Sequence, residues 1–390
     1  LSVIMSGQSI ELQQSTGKFL FNIQMFGMLI GGILWGILGD KKGRIKVLFG
    51  SILLYSAANL INAFVTDITT YAIVRLIAGI GLAGELGAGI TLVSETMSKE
   101  KRGYGTMIIV TFGALGAVVA SFVGSEGAVI GEFINNLVGV QLDNWQVTYI
   151  VGGCLGLFLL LLRVGTIESS YFENMDQNQN IQKGNLKILF YNKKNFIKYV
   201  HCIVIGIPIW YVVGLLVMNS KDNFAPLMGI NDIENGQAVM YTYIGLSVGD
   251  LISGVLSQWL RSRKKVVGLY LIFTLVLITS FLFFMDGASK DSYYLLCFLL
   301  GTATGYWALF VSIAAEQFGT NIRSTTANTI PNFVRGSVNL IMLGFGFLTA
   351  LNLGDAISAY IVGLVFILMA LYSLSQLKET FGKDLDYFET

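Results

Sequence analysis

Glu85 is the only charged residue in the glycine-rich run LIAGIGLAGELGAG, residues 76–89. A carboxylate amid apolar residues is costly in a membrane and faces a cavity or a partner. Its chemistry is proton uptake and release, or contact with a polar solute. The competing reading is a protonated or ion-paired glutamate that bonds a neighbouring helix. Arg75 lies ten residues earlier, roughly 15 Å along a helix and too far for a direct bond to Glu85. Arginine does not lose its proton, so it needs water, a carboxylate or an anionic ligand beside it. Arg335 poses the same question, and substrate contact competes with snorkelling or helix packing there. Asp250, four residues before Gly254, is a second protonation candidate whose alternative is a polar contact to a neighbouring helix. Gln24, Trp210, Tyr211, Tyr306 and Trp307 lie in similar apolar runs and are candidates for solute contact or for packing.

The same inventory excludes several classes. Cys154, Cys202 and Cys297 fall in apolar runs at no metal-ligand spacing, and His201 is the single histidine. No metal site, cofactor or catalytic pair is expected, so the chain does not read as an enzyme. No G-x-x-x-x-G-K-[ST] motif is present to bind ATP. A net charge of +1 gives no footprint for nucleic acid.

The elements that must hold these residues are membrane helices. The 390 residues are 54% hydrophobic and 13% charged, against about 25% charged in soluble domains. Apolar runs of bilayer-crossing length recur, and no alternating barrel strands break them. Spans are predicted near 18–39, 45–66, 70–93, 103–124, 144–166, 197–219, 236–260, 265–286, 291–315, 326–350 and 355–377. The opening LSVIMSGQSIEL reads as the tail of a further, truncated first helix, which would make twelve. Of 25 Lys and Arg residues, 19 fall in alternate loops on one side and three on the other, with three inside spans. The positive-inside rule makes the basic side cytoplasmic, with both termini on the cytoplasmic side of the cell's inner membrane.

The loops also repeat. GILGDKKGR (36–44) follows the second helix of a first half, and GVLSQWLRSRKK (254–265) the second helix of a second half. SETMSKEKRG (94–103) and AEQFGTNIRS (315–324) follow the respective fourth helices. The division expected is an N-terminal bundle 1–166, a linker 167–196, a C-terminal bundle 197–377 and a tail 378–390. Gly27, Gly31, Gly32 and Gly36 form small faces for close helix packing. Gly301, Gly305 and Pro331 are candidates for helix bending. Asp40 adds nothing to the positive-inside count; a partner cation or a neighbouring helix N-terminus would hold it. Asp40, Arg44, Glu95, Arg102, Glu316 and Arg323 are the candidate cytoplasmic gate.

These motifs resemble the major facilitator superfamily. Residues 36–44 are similar to its G-x-x-x-D-[RK]-x-G-[RK] loop, and RLIAGIGLAGE (75–85) to its fourth-helix arginine with spaced glycines. GIGLAGELGAGITLVSETMSKEKRG most resembles the metabolite:proton symporters, with sugar porters as near relatives. Ser98 stands where a proline is common, and Gln258 where an aspartate is. The resemblance implies two pseudo-symmetric six-helix bundles and alternating access. It also implies proton-coupled transport of an organic acid, zwitterion or sugar, with Arg75 at a position associated with proton coupling. The protein is expected to act as a monomer, with substrate, protons and lipid as its partners. An uncoupled facilitator, an exporter of siderophores or drugs, and a solute sensor remain alternatives.

Overall fold

The structure is a computed structural model that describes residues 8–125, 131–132, 136, 142–177 and 181–389. Among the described residues there is no strand, and 11 helical spans are long and apolar enough to cross a membrane. The N-terminal part of the chain includes α1 (Ile10–Lys42), α2 (Arg44–Asn62), α3 (Ile68–Thr96), α4 (Arg102–Ser125) and α5 (Asn144–Leu162). Short helices α6 (Ser170–Gln177) and α7 (Leu186–Phe190) occupy the stretch expected to be a plain linker. The chain then forms α8 (Lys193–Val204), α9 (Ile207–Trp210), α10 (Asn235–Trp259), α11 (Arg263–Phe283), α12 (Lys290–Thr304), α13 (Trp307–Glu316), α14 (Arg323–Gly336), α15 (Val338–Ala350) and α16 (Asp355–Gln376). The opening residues 1–7, read as the tail of a further helix, lie outside the described residues.

Three spans are interrupted. Lys193–Val217 contains α8, a break at Gly206, α9 and a π-helical stretch, Tyr211–Val217. Lys290–Glu316 contains α12 and α13, separated at Gly305–Tyr306. Arg323–Ala350 contains α14 and α15. Pro331 sits inside α14, which continues to Gly336, so the interruption does not fall at the proline. Between α1 and α2 the whole connection is Gly43, whose φ of 102° is open to glycine at little cost.

The described residues divide into two compact units that do not follow chain order. The first draws on Leu1–Leu92, Val119–Gly184 and Asn321–Asn332, the second on Val93–Val118, Asn185–Thr320 and Phe333–Thr390. In the first unit α1 lies directly on α3. A Cβ at Gly27 would stand 2.3 Å from the Leu76 carbonyl oxygen, and one at Gly31 2.3 Å from that of Ile80. The neighbouring glycines turn to α14: a Cβ at Gly36 would be 2.7 Å from the Thr325 Cα. In the second unit α10 and α12 make the closest approach. There Gly245 and Gly249 face the backbone of 298–305, and a Cβ at Gly305 would lie 2.4 Å from the Gly249 Cα. Such faces let dispersion and weak backbone contacts hold helices where lipid gives no hydrophobic drive. Large apolar side chains, among them Leu53, Phe112, Leu161 and Leu343, point outward, as suits a hydrocarbon solvent.

Candidate functional site

In the first unit the side chain of Arg75 is built into an aromatic and amide cradle. Its Nη1 donates to Gln24 Oε1 at 2.8 Å and its Nη2 to the Tyr71 hydroxyl at 3.1 Å. The guanidinium carbon lies 5.3 Å from the Tyr71 ring centre and 5.1 Å from that of Tyr149. The two phenols are themselves joined at 2.6 Å. Helix geometry explains half of this, since Tyr71 precedes Arg75 by one turn on α3. Cation–π contacts of this kind stabilise a cation by about 0.5–2 kcal/mol each. Among the described residues no carboxylate pairs with Arg75. A guanidinium has five N–H donors, and only two of the five are engaged here. The remainder can take a ligand carboxylate.

Glu85 lies further along the same helix and points elsewhere. Its Oε1 is 3.2 Å from Nη2 of Arg163, the residue that caps the C-terminus of α5. Ala83 and Gly87 face α14: the Ala83 carbonyl accepts from Asn332, and a Cβ at Gly87 would meet Asn328. Two residues of helix correspond to roughly 200° of rotation, which carries Glu85 to the opposite side of α3. The geometry is that of a paired glutamate bonding a neighbouring helix.

At the basic-loop end of this unit Asp40 has both kinds of partner that its position called for. Arg44 Nη2 stands 3.8 Å away, one turn on. The N-terminus of α14 supplies the rest. Ser324 N donates to Oδ1 at 2.9 Å, while Thr325 N and Oγ1 donate to Oδ2 at 2.9 and 2.6 Å. Asp40 thus caps a helix that lies some 280 residues away in the chain, with the Arg44 guanidinium over the Phe172 ring at 5.0 Å. Arg323, the residue before Ser324 in the chain, is fully buried. A hollow of about 550 Å³ opens nearby, lined by Lys42, Lys46, Glu168 and Phe172 among others. None of the candidate substrate residues lines it.

The second unit holds the remaining candidates. Glu316 accepts from Arg263 at 2.8 Å and lies 3.8 Å from Arg102, with all three side chains buried. Arg102 also donates to the Lys383 carbonyl at 3.0 Å, and Glu95 is buried in the same unit. The six gate candidates therefore fall into two sets, Asp40, Arg44 and Arg323 in the first unit and Glu95, Arg102 and Glu316 in the second. The tail is tied down by Glu379, which binds the N-terminus of α11. It accepts from Ser262 Oγ at 2.5 Å, Arg263 N at 3.1 Å and Lys264 N at 3.3 Å. Burial opposes its charge, yet these bonds and those of the Thr380 and Phe381 N–H groups hold its carboxyl below the usual glutamate range.

Arg335 lies over the Trp307 indole at 5.3 Å, with the Tyr243 phenol within its electrostatic reach. Two tyrosines expected to be candidates for solute contact are committed to the helix interruptions. Tyr211 donates to the Ala359 carbonyl at 2.7 Å and Tyr306 to that of Ile205 at 3.0 Å, and both are fully buried. Trp210 is half-buried at the end of α9. Asp250 is fully buried and accepts from Ala308 N at 2.8 Å. The sequence reading missed Tyr71, Tyr149, Arg163, Arg263, Ser324 and Thr325. Only Tyr71, at helical spacing from Arg75, carried a local signal.

Comparison with known proteins agrees with this architecture. A Bacillus subtilis (strain 168) protein named as a candidate niacin/nicotinamide transporter is 26% identical over 342 residues, covering 86% of this chain and 80% of its own. The benzoate transport protein of Acinetobacter baylyi is 24% identical over 350 residues, covering 80% and 70%. Among solved structures, the proton:xylose symporter XylE superposes with a TM-score of 0.77 at 16% identity, over 99% of this chain and 91% of its own. The family model for the Major Facilitator Superfamily matches residues 1–346. With that match over most of its length, and with spans and glycine-lined helix contacts of the kind just described, this multi-pass membrane protein belongs to the major facilitator superfamily of transporters.

Proposed function

We propose that the protein is a secondary transporter that takes up a small organic carboxylate by alternating access, driven by proton entry. The observation that carries the reading is the Arg75 cradle. A cation inside a membrane span, held by two tyrosine faces and one amide, has no carboxylate partner among the described residues. An anionic solute completes it, because a desolvated guanidinium binds a carboxylate bidentately. Arg335 over Trp307 offers a second cation beside an aromatic ring. The benzoate name of one relative supports the same chemistry, and the niacin/nicotinamide name of another joins an aromatic carboxylate with its neutral amide. The structural neighbour is named as a proton:xylose symporter, which supports proton coupling. The basic-loop side is the cytoplasmic one in this reading, so uptake runs toward Asp40.

Matched acid and amide pairs test the substrate class. Nicotinate and benzoate should raise the thermal midpoint of the purified protein, and nicotinamide and benzamide should not. Arg75→Gln should abolish the difference. Equal shifts for acid and amide, or an unaltered acid response in Arg75→Gln, would remove Arg75 as the carboxylate site.

A further inference from the structure

The span Lys290–Glu316 stops and restarts inside the second unit, and side chains of neighbouring helices meet its broken ends. At the interruption Gly305 N still reaches the Thr302 carbonyl at 3.1 Å. The Ala303 carbonyl, left without a helical partner, accepts from Thr274 Oγ1 of α11 at 3.0 Å. On the other side, the first N–H groups of α13 have no helical acceptors of their own. Ala308 N is met by Asp250 Oδ1 of α10 at 2.8 Å. Asp250 therefore caps α13 from a different helix. Its other oxygen, Oδ2, is buried with no hydrogen-bond partner among the described residues. Among the described residues the titratable side chain that faces the carboxyl is Tyr270 of α11, whose hydroxyl donates to the adjacent Gly249 carbonyl at 3.0 Å. Tyr306, at the break, meets the Tyr270 ring edge-on. No lysine, arginine or second carboxylate pairs with Asp250 among the described residues.

We infer that Asp250 is the proton-exchanging cap of this helix break, and that gain and loss of its proton releases and locks α13 against α10. This deepens the proton-coupled reading and rests on it. An ionised carboxylate is held by the N-terminal N–H groups and the helix dipole. A protonated one keeps a weaker neutral bond, and its O–H gains a donor on the oxygen that has no partner. No cation among the described residues competes for the charge, so the proton changes how strongly the Ala308 and Trp307 N–H groups are held. The glycine contact at Gly249 and Gly305 places the two backbones in touch one residue from the carboxyl, so α13 cannot tilt without moving it. Trp307, the first residue of α13, carries Arg335 on its indole. Release of the cap thus reaches a candidate substrate residue directly.

Asp250→Asn separates charge from capping, because the amide oxygen still accepts from Ala308 N but cannot ionise. In proteoliposomes the accumulation of benzoate by this variant under an imposed inward proton gradient should fall to the equilibrium ratio, and its counterflow rate should no longer change with pH. Hydrogen exchange of the 305–312 segment, corrected for intrinsic rates, should quicken with acidification in the wild type and stay flat in Asp250→Asn. Gradient-driven accumulation by Asp250→Asn, or pH-dependent protection that persists in it, would overturn the inference and leave proton coupling to another residue. A wild type without gradient-driven accumulation would instead remove the coupling reading, and hydrogen exchange would still decide whether Asp250 is the cap. Should the amide variant fail to fold, wild-type protection that does not change with pH overturns the inference by itself.

Discussion

Replacing Asp40 by asparagine should loosen the start of α14 by a calculable amount. The carboxylate accepts three hydrogen bonds, two from backbone N–H groups on its separate oxygens and one from the Thr325 hydroxyl. An asparagine has one acceptor oxygen. Placed at the Oδ2 position it keeps both Thr325 donors, and its NH₂ then faces the Ser324 N–H. One charge-assisted bond worth about 1.5–3 kcal/mol is lost, and one buried donor is left unsatisfied at about 1–3 kcal/mol. The terms overlap and the side chain can shift, so about 3 kcal/mol is a fair expectation, roughly 150-fold in an opening equilibrium. Arg44 also loses the carboxylate 3.8 Å away, which adds in the same direction. The assay is hydrogen–deuterium exchange of the peptide spanning residues 321–332 in wild type and Asp40→Asn. Exchange of the Ser324 and Thr325 amides should accelerate by about two orders of magnitude. A change of less than about threefold would mean that Asp40 does not hold this helix, and the capping argument would fail.

Glu379 has a lowered folded-state pKa, so its contribution is complete above the ordinary glutamate value of about 4.3 and fades as pH falls through the folded value. The difference in thermal midpoint between wild type and Glu379→Gln should be constant near neutral pH and close below about pH 4; a difference that widens on acidification would contradict the sign. Gly305→Ala must displace the Gly249 backbone and should cost upwards of ~2 kcal/mol, whereas Gly89→Ala, with nothing within 4 Å of its added carbon, should be neutral to within ~1 kcal/mol; equal midpoints would refute the close approach of α10 and α12. A double-mutant cycle between Glu85→Gln and Arg163→Met should give a coupling of about 1 kcal/mol, and strictly additive effects would mean that the pair is not formed.

The membrane helices were legible in the sequence because the bilayer imposes one length and one solvent on each of them. The predicted span 144–166 became Asn144–Leu162, and 291–315 became Lys290–Glu316. What periodicity does not carry is the partner of a polar group. Glu85 stood out by its surroundings, but nothing near it in sequence names Arg163, 78 positions away. Asp40 likewise had to find a helix N-terminus, and its sequence could not say which. The interruptions were half legible. Gly305 marks one, while Pro331 marks none, because a proline removes one N–H and α14 tolerates that loss within a packed unit. For Tyr211 and Tyr306 the sequence left solute contact and packing as alternatives. Their hydroxyls satisfy carbonyls of Ala359 and Ile205, a need that appears only once helices are known to break. The polar stretch after α5 read as linker because helices α6 and α7 are too short to show a periodic pattern.

Counterflow tests the carrier reading most directly. Proteoliposomes preloaded with unlabelled benzoate and diluted into a trace of labelled benzoate should show a transient overshoot of label, abolished in Arg75→Gln. Saturable binding of benzoate with no overshoot would mean a receptor without alternating access, and the transport account would be wrong.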